Sequence, residues 1–215
     1  MTSSGYWPLT GLRLHTEGLE LRLPDADDLL ALAALAEAGV HDPATQPFEA
    51  EWTDVSPPER ALATLRYHWS CWGSWQPTDW TLNLVAVRDG TVVGMQGMSG
   101  ANFAKLREVG TGSWLGLDYQ GQGIGTAMRA AVLALAFDGL GAEFAISAAF
   151  VGNPASIAVS RKLGYAADGM NRYLIRGEPV QNRRFRLDRA AWLGNRRIDV
   201  SISGLEPCLP LFGLN

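Results

Sequence analysis

The sequence predicts a mixed α/β domain on one sheet, without the regular alternation of strand and helix that marks a doubly wound fold. Three observations predict it. Asp89-Gly90 sits between two alternating apolar runs, the mark of an antiparallel hairpin in the middle of the chain. Gln120-Gly-Gln-Gly-Ile-Gly125 joins an apolar run to a run of helical period, as the turn of one β-α-β unit. On either side, helices and strands follow in no fixed rhythm.

Taken in order, residues 9–14 and 19–23 alternate leucine with polar side chains and read as half-buried strands. Pro24 and the acids Asp25, Asp27 and Asp28 start a helix that runs to about residue 38, where Gly39 stops it. Residues 40–57 form a long loop, and loops of that length usually have a task. A helix over 58–72 opens on Pro58, whose missing N–H is harmless in a first turn. The hairpin pairs 82–88 with 91–98. A strand over 109–117, a helix over 126–137 and a strand over 143–150 make the β-α-β unit. Asn153 caps a short helix with Pro154 in its first turn and Gly164 at its end. Residues 173–176 and 184–187 form a last strand pair. The alternation over 198–203 adds an edge strand or pairs two subunits, and a homodimer is the expectation. No repeat or linker interrupts the chain, so residues 1–215 are read as one domain with a C-terminal extension from about 195.

At 47% hydrophobic residues over 215, the chain can bury one substantial core. Net charge is −4 and the basic residues are scattered apart from Arg183-Arg184 and Arg196-Arg197, which argues against nucleic acid as a partner. Cys71 and Cys208 belong to no ligand-spaced cluster, which argues against a metal and fits packing thiols in a reducing compartment. Residues 1–8 lack a basic run followed by an apolar one, and no window approaches the ~18 apolar residues of a membrane span. A cytoplasmic protein is expected.

The glycine turn carries the chemistry. Residues without bulky side chains at a strand-to-helix turn expose backbone N–H groups, and the amides of the helix's first turn carry partial positive charge. From Tyr119 to Phe137 there is no Asp or Glu to complement it, so an anionic ligand is expected. A nucleotide-hydrolysing P-loop needs a Gly-Lys pair that is missing here. A dinucleotide fingerprint starting at Gly121 or Gly123 needs Gly or Ala where Thr126 or Met128 stands, and its acidic residue could only be Glu143, at the wrong end of the next strand. The third pattern, Q/R-x-x-G-x-G/A, is filled by Gln120, Gly123 and Gly125.

That pattern resembles the pyrophosphate motif of the GNAT superfamily of acyl-CoA-dependent N-acyltransferases. Gly112-Ser-Trp-Leu-Gly-Leu-Asp-Tyr119 looks like the family's fourth strand, Asn153-Pro-Ala-Ser156 like the start of its helix beyond the fifth, and Arg161-Lys-Leu-Gly-Tyr165 like that helix's end. Leu12-Arg-Leu and Leu21-Arg-Leu-Pro-Asp-Ala-Asp-Asp28 are similar to the branch of ribosomal-protein N-terminal acetyltransferases. Gly39-Val-His-Asp-Pro43, Met128-Arg-Ala-Ala-Val-Leu133 and Pro210-Leu-Phe-Gly213 look like mycobacterial GNAT succinyltransferases that use succinyl-CoA.

The resemblance implies a mixed, mostly antiparallel sheet whose fourth and fifth strands splay around the pantetheine arm of acetyl-CoA or succinyl-CoA. It implies that the backbone of Leu115 and Leu117 pairs with that arm, with an N–H there as oxyanion donor. Gln120, Gln122, Gly123, Ile124, Gly125 and Thr126 would surround the pyrophosphate, and Asn153 would face them from the other side. It further implies direct attack by an amine, with no metal and no acyl-enzyme. Ser156 matches the serine beside the CoA sulfur in the ribosomal-protein branch, and Ser160 stands where many members carry a tyrosine. The rival reading is a regulatory module that binds acyl-CoA without turnover.

The remaining candidates have two readings each. His41 and Asp42 suit a base for the amine proton or an ordinary loop turn, with Glu51, Asp54, His68 and Glu178 as weaker alternatives. Arg129 suits a CoA phosphate, a succinyl carboxylate or a solvated helix face. Five of the eight tryptophans lie between Trp52 and Trp80, as a pocket wall or as core. Tyr165 reads as packing, and Ser156 and Asn153 as caps or ligand contacts.

Overall fold

A computed structural model of the chain describes residues 5–16 and 18–215, so residues 1–4 of the N-terminal expectation lie outside it. Among the described residues nine strands form one sheet in the order β7-β8-β6-β5-β4-β3-β2-β1-β9. They are β1 (Arg13–Thr16), β2 (Leu19–Arg22), β3 (Asp79–Arg88), β4 (Thr91–Ala101), β5 (Glu108–Leu115), β6 (Phe144–Phe150), β7 (Ala166–Ile175), β8 (Glu178–Asp188) and β9 (Ser201–Ser203). Every neighbouring pair is antiparallel except β5 and β6. The helices are α1 (Ala26–Ala38), α2 (Pro57–Gly73), α3 (Phe103–Leu106), α4 (Ile124–Ala134), α5 (Pro154–Lys162) and α6 (Arg189–Asn195).

Local chemistry accounts for the ends of these elements. Asp25 accepts from the N–H of Asp28 (2.9 Å) and Asp28 from that of Asp25 (3.3 Å), a reciprocal cap that starts α1. Glu59 does the same for α2, accepting from the Ser56 N–H at 3.1 Å. Asp89 and Gly90, both at positive φ, make the tight turn between β3 and β4. Asn153 accepts from the Ser156 N–H at 3.1 Å and starts α5.

The structure departs from the sequence reading in several places, among them α3, which the sequence reading did not include. Pro8–Gly11 is a 3-10 helix, fastened by the Thr10 hydroxyl to the Trp7 carbonyl, so β1 begins only at Arg13. Leu117 lies in a 3-10 turn, Leu117–Tyr119, beyond the end of β5. α4 begins two residues early, at Ile124, and runs into a π turn over Leu135–Gly139. β7 and β8 are long strands of 10 and 11 residues. Of 198–203 only Ser201–Ser203 is strand, and it pairs with β1 of its own chain as the edge strand of the sheet.

The two faces of the sheet differ. One carries α4, α5 and the C-terminal segment over the main core, where Leu14, Leu21, Leu82, Leu84, Met128 and Val132 are almost wholly buried. The other carries α1 and α2, with Leu32 packed on Val85, Val87 and Met95. Burying a leucine such as Leu32 contributes roughly 1.5–3 kcal/mol. Trp75 and Trp80 stack within the main core (centroids 5.9 Å apart) beside Phe212, so these two tryptophans are packing residues. Among the described residues no helix is long and apolar enough to cross a membrane.

The feature that positions a site is the junction of β5 and β6. They pair only from Glu108–Gly110 to Phe144–Ile146, and then diverge. The Gly116 N–H donates to the Val93 carbonyl at 3.1 Å, which sets the alternation of the β4–β5 ladder. Gly110, Gly112 and Trp114 therefore bond to β4, while Thr111, Ser113 and Leu115 turn their N–H and C=O groups into the gap. A strand edge opens inside the sheet.

Candidate functional site

Residues 120–125 stand at the open end of this gap. Gly121 and Gly123 have φ of +73° and +83°, a conformation that glycine takes without strain, and no atom lies within 4 Å of where a Cβ would stand on either. The first amide engaged is that of Thr126, bonded to the Gly123 carbonyl at 3.0 Å. Those of Gly121 to Gly125 meet no acceptor among the described residues, and α4 has no acid in its first turn. Such a ring of free amides at a helix start fits a diphosphate.

The side chains of the loop serve to hold it in place. Gln120 Nε2 donates to the carbonyls of Val40 (2.8 Å) and Leu115 (3.0 Å), tying the turn to the exit of α1 and the end of β5. Gln122 Nε2 donates to the Asp118 carbonyl at 2.7 Å and its Oε1 accepts from Arg88 at 2.9 Å. Ile124 is buried, so it offers its backbone alone. Arg88, at the tip of β3, thus stands as a cation beside the loop. Nothing in the sequence near the Asp89-Gly90 turn signals it, because tertiary packing alone brings it there.

Of the two residues expected to pair with an extended ligand, Leu115 faces the gap and Leu117 does not. Ser113, two residues before Leu115, also turns its N–H and C=O into the opening. The missed signal was the strand's end at Leu115, where Gly116 packs so closely on α1 that a Cβ would lie 2.4 Å from Leu35 Cδ1.

α5 lies against the far side of β6. Ser156 is half-buried and its hydroxyl has no partner among the described residues. Ser160 is wholly buried and accepts from Arg129 at 3.0 Å, so it faces the interior, and not an open ligand surface. Arg129 is 4% exposed, neither a phosphate ligand at the surface nor a solvated residue, and also donates to Ser147 Oγ at 3.1 Å. Tyr165 is buried with its hydroxyl 3.3 Å from Thr111 Oγ1. Burial pushes its phenol up, against the pull of the Arg129 charge.

The opposite face of the gap opens into a groove of about 480 Å³, with Gly97, Gly110 and Gly112 on its floor. Tyr67 and Asn83 line one side and Asn171, Tyr173 and Arg184 the other. Residues 40–56 strap across this face. Trp52 packs on Trp114 of β5 (5.8 Å between centroids), and Glu49 accepts from Asn182 of β8 at 2.9 Å, so the strap bridges the mouth of the gap. Arg176 anchors it at the β7–β8 turn by a forked pair with Asp54, a bond to the Pro43 carbonyl and a bond from its N–H to Glu51.

These contacts redistribute the candidate bases. His41 Nδ1 lies 2.8 Å from the Asp42 carbonyl and Nε2 lies 2.8 Å from the Thr53 hydroxyl, so both ring nitrogens are occupied. Asp54 and Glu51 are held by Arg176. His68 is 1% exposed inside α2. Glu178 begins β8 at the exposed hairpin tip. Glu49, which the sequence reading passed over, has one oxygen on Asn182 and lies at the mouth of the gap. Both thiols are free; burial pushes that of Cys208 up to about 11, and Cys71 accepts from Asn83. No group of three or more His, Cys, Asp or Glu that could hold a metal ion occurs among the described residues.

Known proteins share this architecture. Mycobacterium smegmatis RimJ in complex with CoA-disulfide superposes with a TM-score of 0.70 at 18% identity, covering 90% of this chain and 97% of that one. RimL, a ribosomal-protein alpha-N-acetyltransferase in complex with coenzyme A, gives 0.66 at 18% identity over 81% and 96%. A chimera of the spermidine N-acetyltransferase SpeG from Vibrio cholerae and hSSAT gives 0.61 at 16% identity over 82% and 99%. At these identities the likeness is one of fold. The sequence itself matches the model of the acetyltransferase (GNAT) domain over residues 18–166, from β2 through α4 and α5, and the chain belongs to the GNAT acetyltransferase family.

Proposed function

We propose that the protein transfers an acyl group from acetyl-CoA or succinyl-CoA to an amine, by direct attack across the β5–β6 gap. One observation carries the reading. The free amides of Gly121 to Gly125 stand at the open end of a gap whose other face is a groove bridged by the strap.

The thioester supplies an activated carbonyl, and the chain's own groups do the rest. The amides of Gly121 to Gly125 bind the diphosphate, with Arg88 adding charge beside them. The Leu115 N–H and C=O orient the extended arm as a neighbouring strand would, although the carbonyl first has to be shared with Gln120. The Ser113 N–H takes the role of oxyanion donor. Asn153 and Ser156 close the arm from α5, and the Ser156 hydroxyl donates to the departing thiolate. Glu49 accepts the amine proton, while His41 stiffens the strap that carries it. The acceptor is an amine, presented by a small molecule or a protein and seated in the glycine-floored groove.

Thiol release from acetyl-CoA and succinyl-CoA across a panel of amines tests this. Turnover that falls in Ser156→Ala, without an acyl-enzyme by mass spectrometry, is the expected result. Uptake of CoA esters with no thiol release for any amine would make the protein a binding module instead.

A further inference from the structure

The carboxamide of Asn83 is satisfied on one side only. Asn83 is 1% exposed in the middle of β3; its Nδ2 donates to Cys71 Sγ at 3.3 Å, while Oδ1 has no donor among the described residues. An amide oxygen withdrawn from water without a partner is costly, and buried polar groups are nearly always paired. What this one faces is the groove. Asn83 lines it, and a Cβ on Gly97 of the floor would stand 2.9 Å from Oδ1.

Strand register leads from that oxygen to the gap. Asn83 pairs with Gly97 and Gly97 with Gly112, so two glycines lie side by side across β4 and β5. No atom lies within 4 Å of where a Cβ would stand on Gly112, and the row is a trough free of side chains. From an oxygen above β4 to a thioester carbonyl beyond β5 is about two strand spacings; one hydrogen bond and the approach of an attacking nitrogen leave roughly 4–7 Å between them. Three or four carbon atoms span it. The charged residues of the groove lining, Asp168 and Arg184, belong to β7 and β8 beyond the gap, and Glu49 is held on β8 as well. On the side of Asn83 the lining is Tyr67, Thr81 and Ser99, all neutral hydroxyls. An ammonium there would be buried with no anion beside it, whereas a hydroxyl donates to Oδ1 and accepts in turn from such neighbours.

We infer that Asn83 selects the acceptor, so that the preferred substrate is an amino alcohol whose hydroxyl lies three or four carbons from the reacting nitrogen and donates to Asn83 Oδ1. The inference rests on the acyl-transfer reading above and adds to it the class of amine and the residue that reads it. A plain alkylamine of the same length fills the trough and leaves Oδ1 unpaired, which is how a site built for a hydroxyl rejects the analogue that lacks one.

Thiol release by the full chain, from acetyl-CoA and from succinyl-CoA, is compared for butylamine, 3-aminopropanol and 1,3-diaminopropane, which share one length and end in a methyl, a hydroxyl and an ammonium. Pentylamine, 4-aminobutanol and 1,4-diaminobutane repeat the comparison one carbon longer. At the better length kcat/KM for the amino alcohol is expected to exceed both others at least about tenfold. Asn83→Leu should bring the amino alcohol down to the level of the alkylamine, and Asn83→Asp, which sets a charge at the same place, should move the preference to the diamine. An alkylamine or a diamine equal to the amino alcohol at both lengths in the wild-type protein would overturn the proposal whether or not either variant folds, as would a preference that survives in folded Asn83→Leu. Turnover of none of the six by a protein that takes up coenzyme A would overturn it too, whereas no uptake of coenzyme A would instead sink the acyl-CoA reading on which it stands.

Discussion

His41 Nε2 lies 2.8 Å from the Thr53 hydroxyl, closing the strap on itself across 12 residues. Nδ1 faces the Asp42 carbonyl, which can only accept, so Nδ1 carries the proton and Nε2 receives the hydroxyl's. Aromatic contacts continue from His41 to Phe48, Trp52 and Trp114, which joins this bond mechanically to β5.

Removing His41 should therefore loosen the strap without removing a proton acceptor. His41→Ala is expected to lower kcat/KM a few-fold and to keep the shape of the pH–rate profile. Glu49→Gln is expected to lower kcat by about 10²–10⁴ and to abolish the acidic limb. Profiles of both variants settle the assignment, and loss of that limb in His41→Ala alone would return the role to the histidine.

The strap's anchor is sensitive to acid. Arg176 holds the Asp54 carboxyl below the usual carboxylate range by its forked hydrogen bonds. A carboxyl depressed in the folded state stabilises above its unfolded value, and that contribution is lost as pH falls through the depressed one. Docking of residues 43–54 should thus hold at neutral pH and weaken only below the ordinary carboxylate range. Hydrogen exchange across that segment checks it, and Arg176→Ala should reproduce the opened strap at pH 7, raising the acceptor KM more than it weakens donor binding.

His68 sets a separate dependence on pH. Burial alone lowers its pKa from 6.5 to about 4, and neither ring nitrogen has a partner among the described residues. The unfolded chain takes up a proton at this residue that the folded chain refuses, so stability is lost as pH falls from 6.5 towards 4. The contribution is on the order of 3 kcal/mol. Urea melts at pH 7 and pH 4.5 should show a smaller difference in His68→Leu than in the parent.

Much of the fold is legible in the sequence because its signals are local. Asp25 and Gly39 bound α1, Asp89-Gly90 turns the hairpin, and Gly121 and Gly123 supply backbone conformations that other residues strain to adopt. What escapes depends on distant packing. The leucine alternation of Leu115 and Leu117 runs on as though in a strand, yet Gly116 packs on Leu35 and β5 ends at Leu115, so the backbone groups turned into the gap are those of Ser113 and Leu115. An arginine one turn into α4 reads as a surface cation, and only the arrival of Ser147 and Ser160 encloses it. Glu49 is one acid among several in its loop until Asn182, 133 residues away, singles it out.

Every role proposed above depends on the amides of Gly121 to Gly125 binding coenzyme A. Calorimetric titration of coenzyme A into the parent protein and Gly123→Val measures it directly. Valine is strained at a φ of +83° and its side chain enters the open space beside the amides. Saturable binding that drops at least about tenfold in the folded variant is the expected result; no uptake by the parent, or equal affinity in both proteins, would contradict the account.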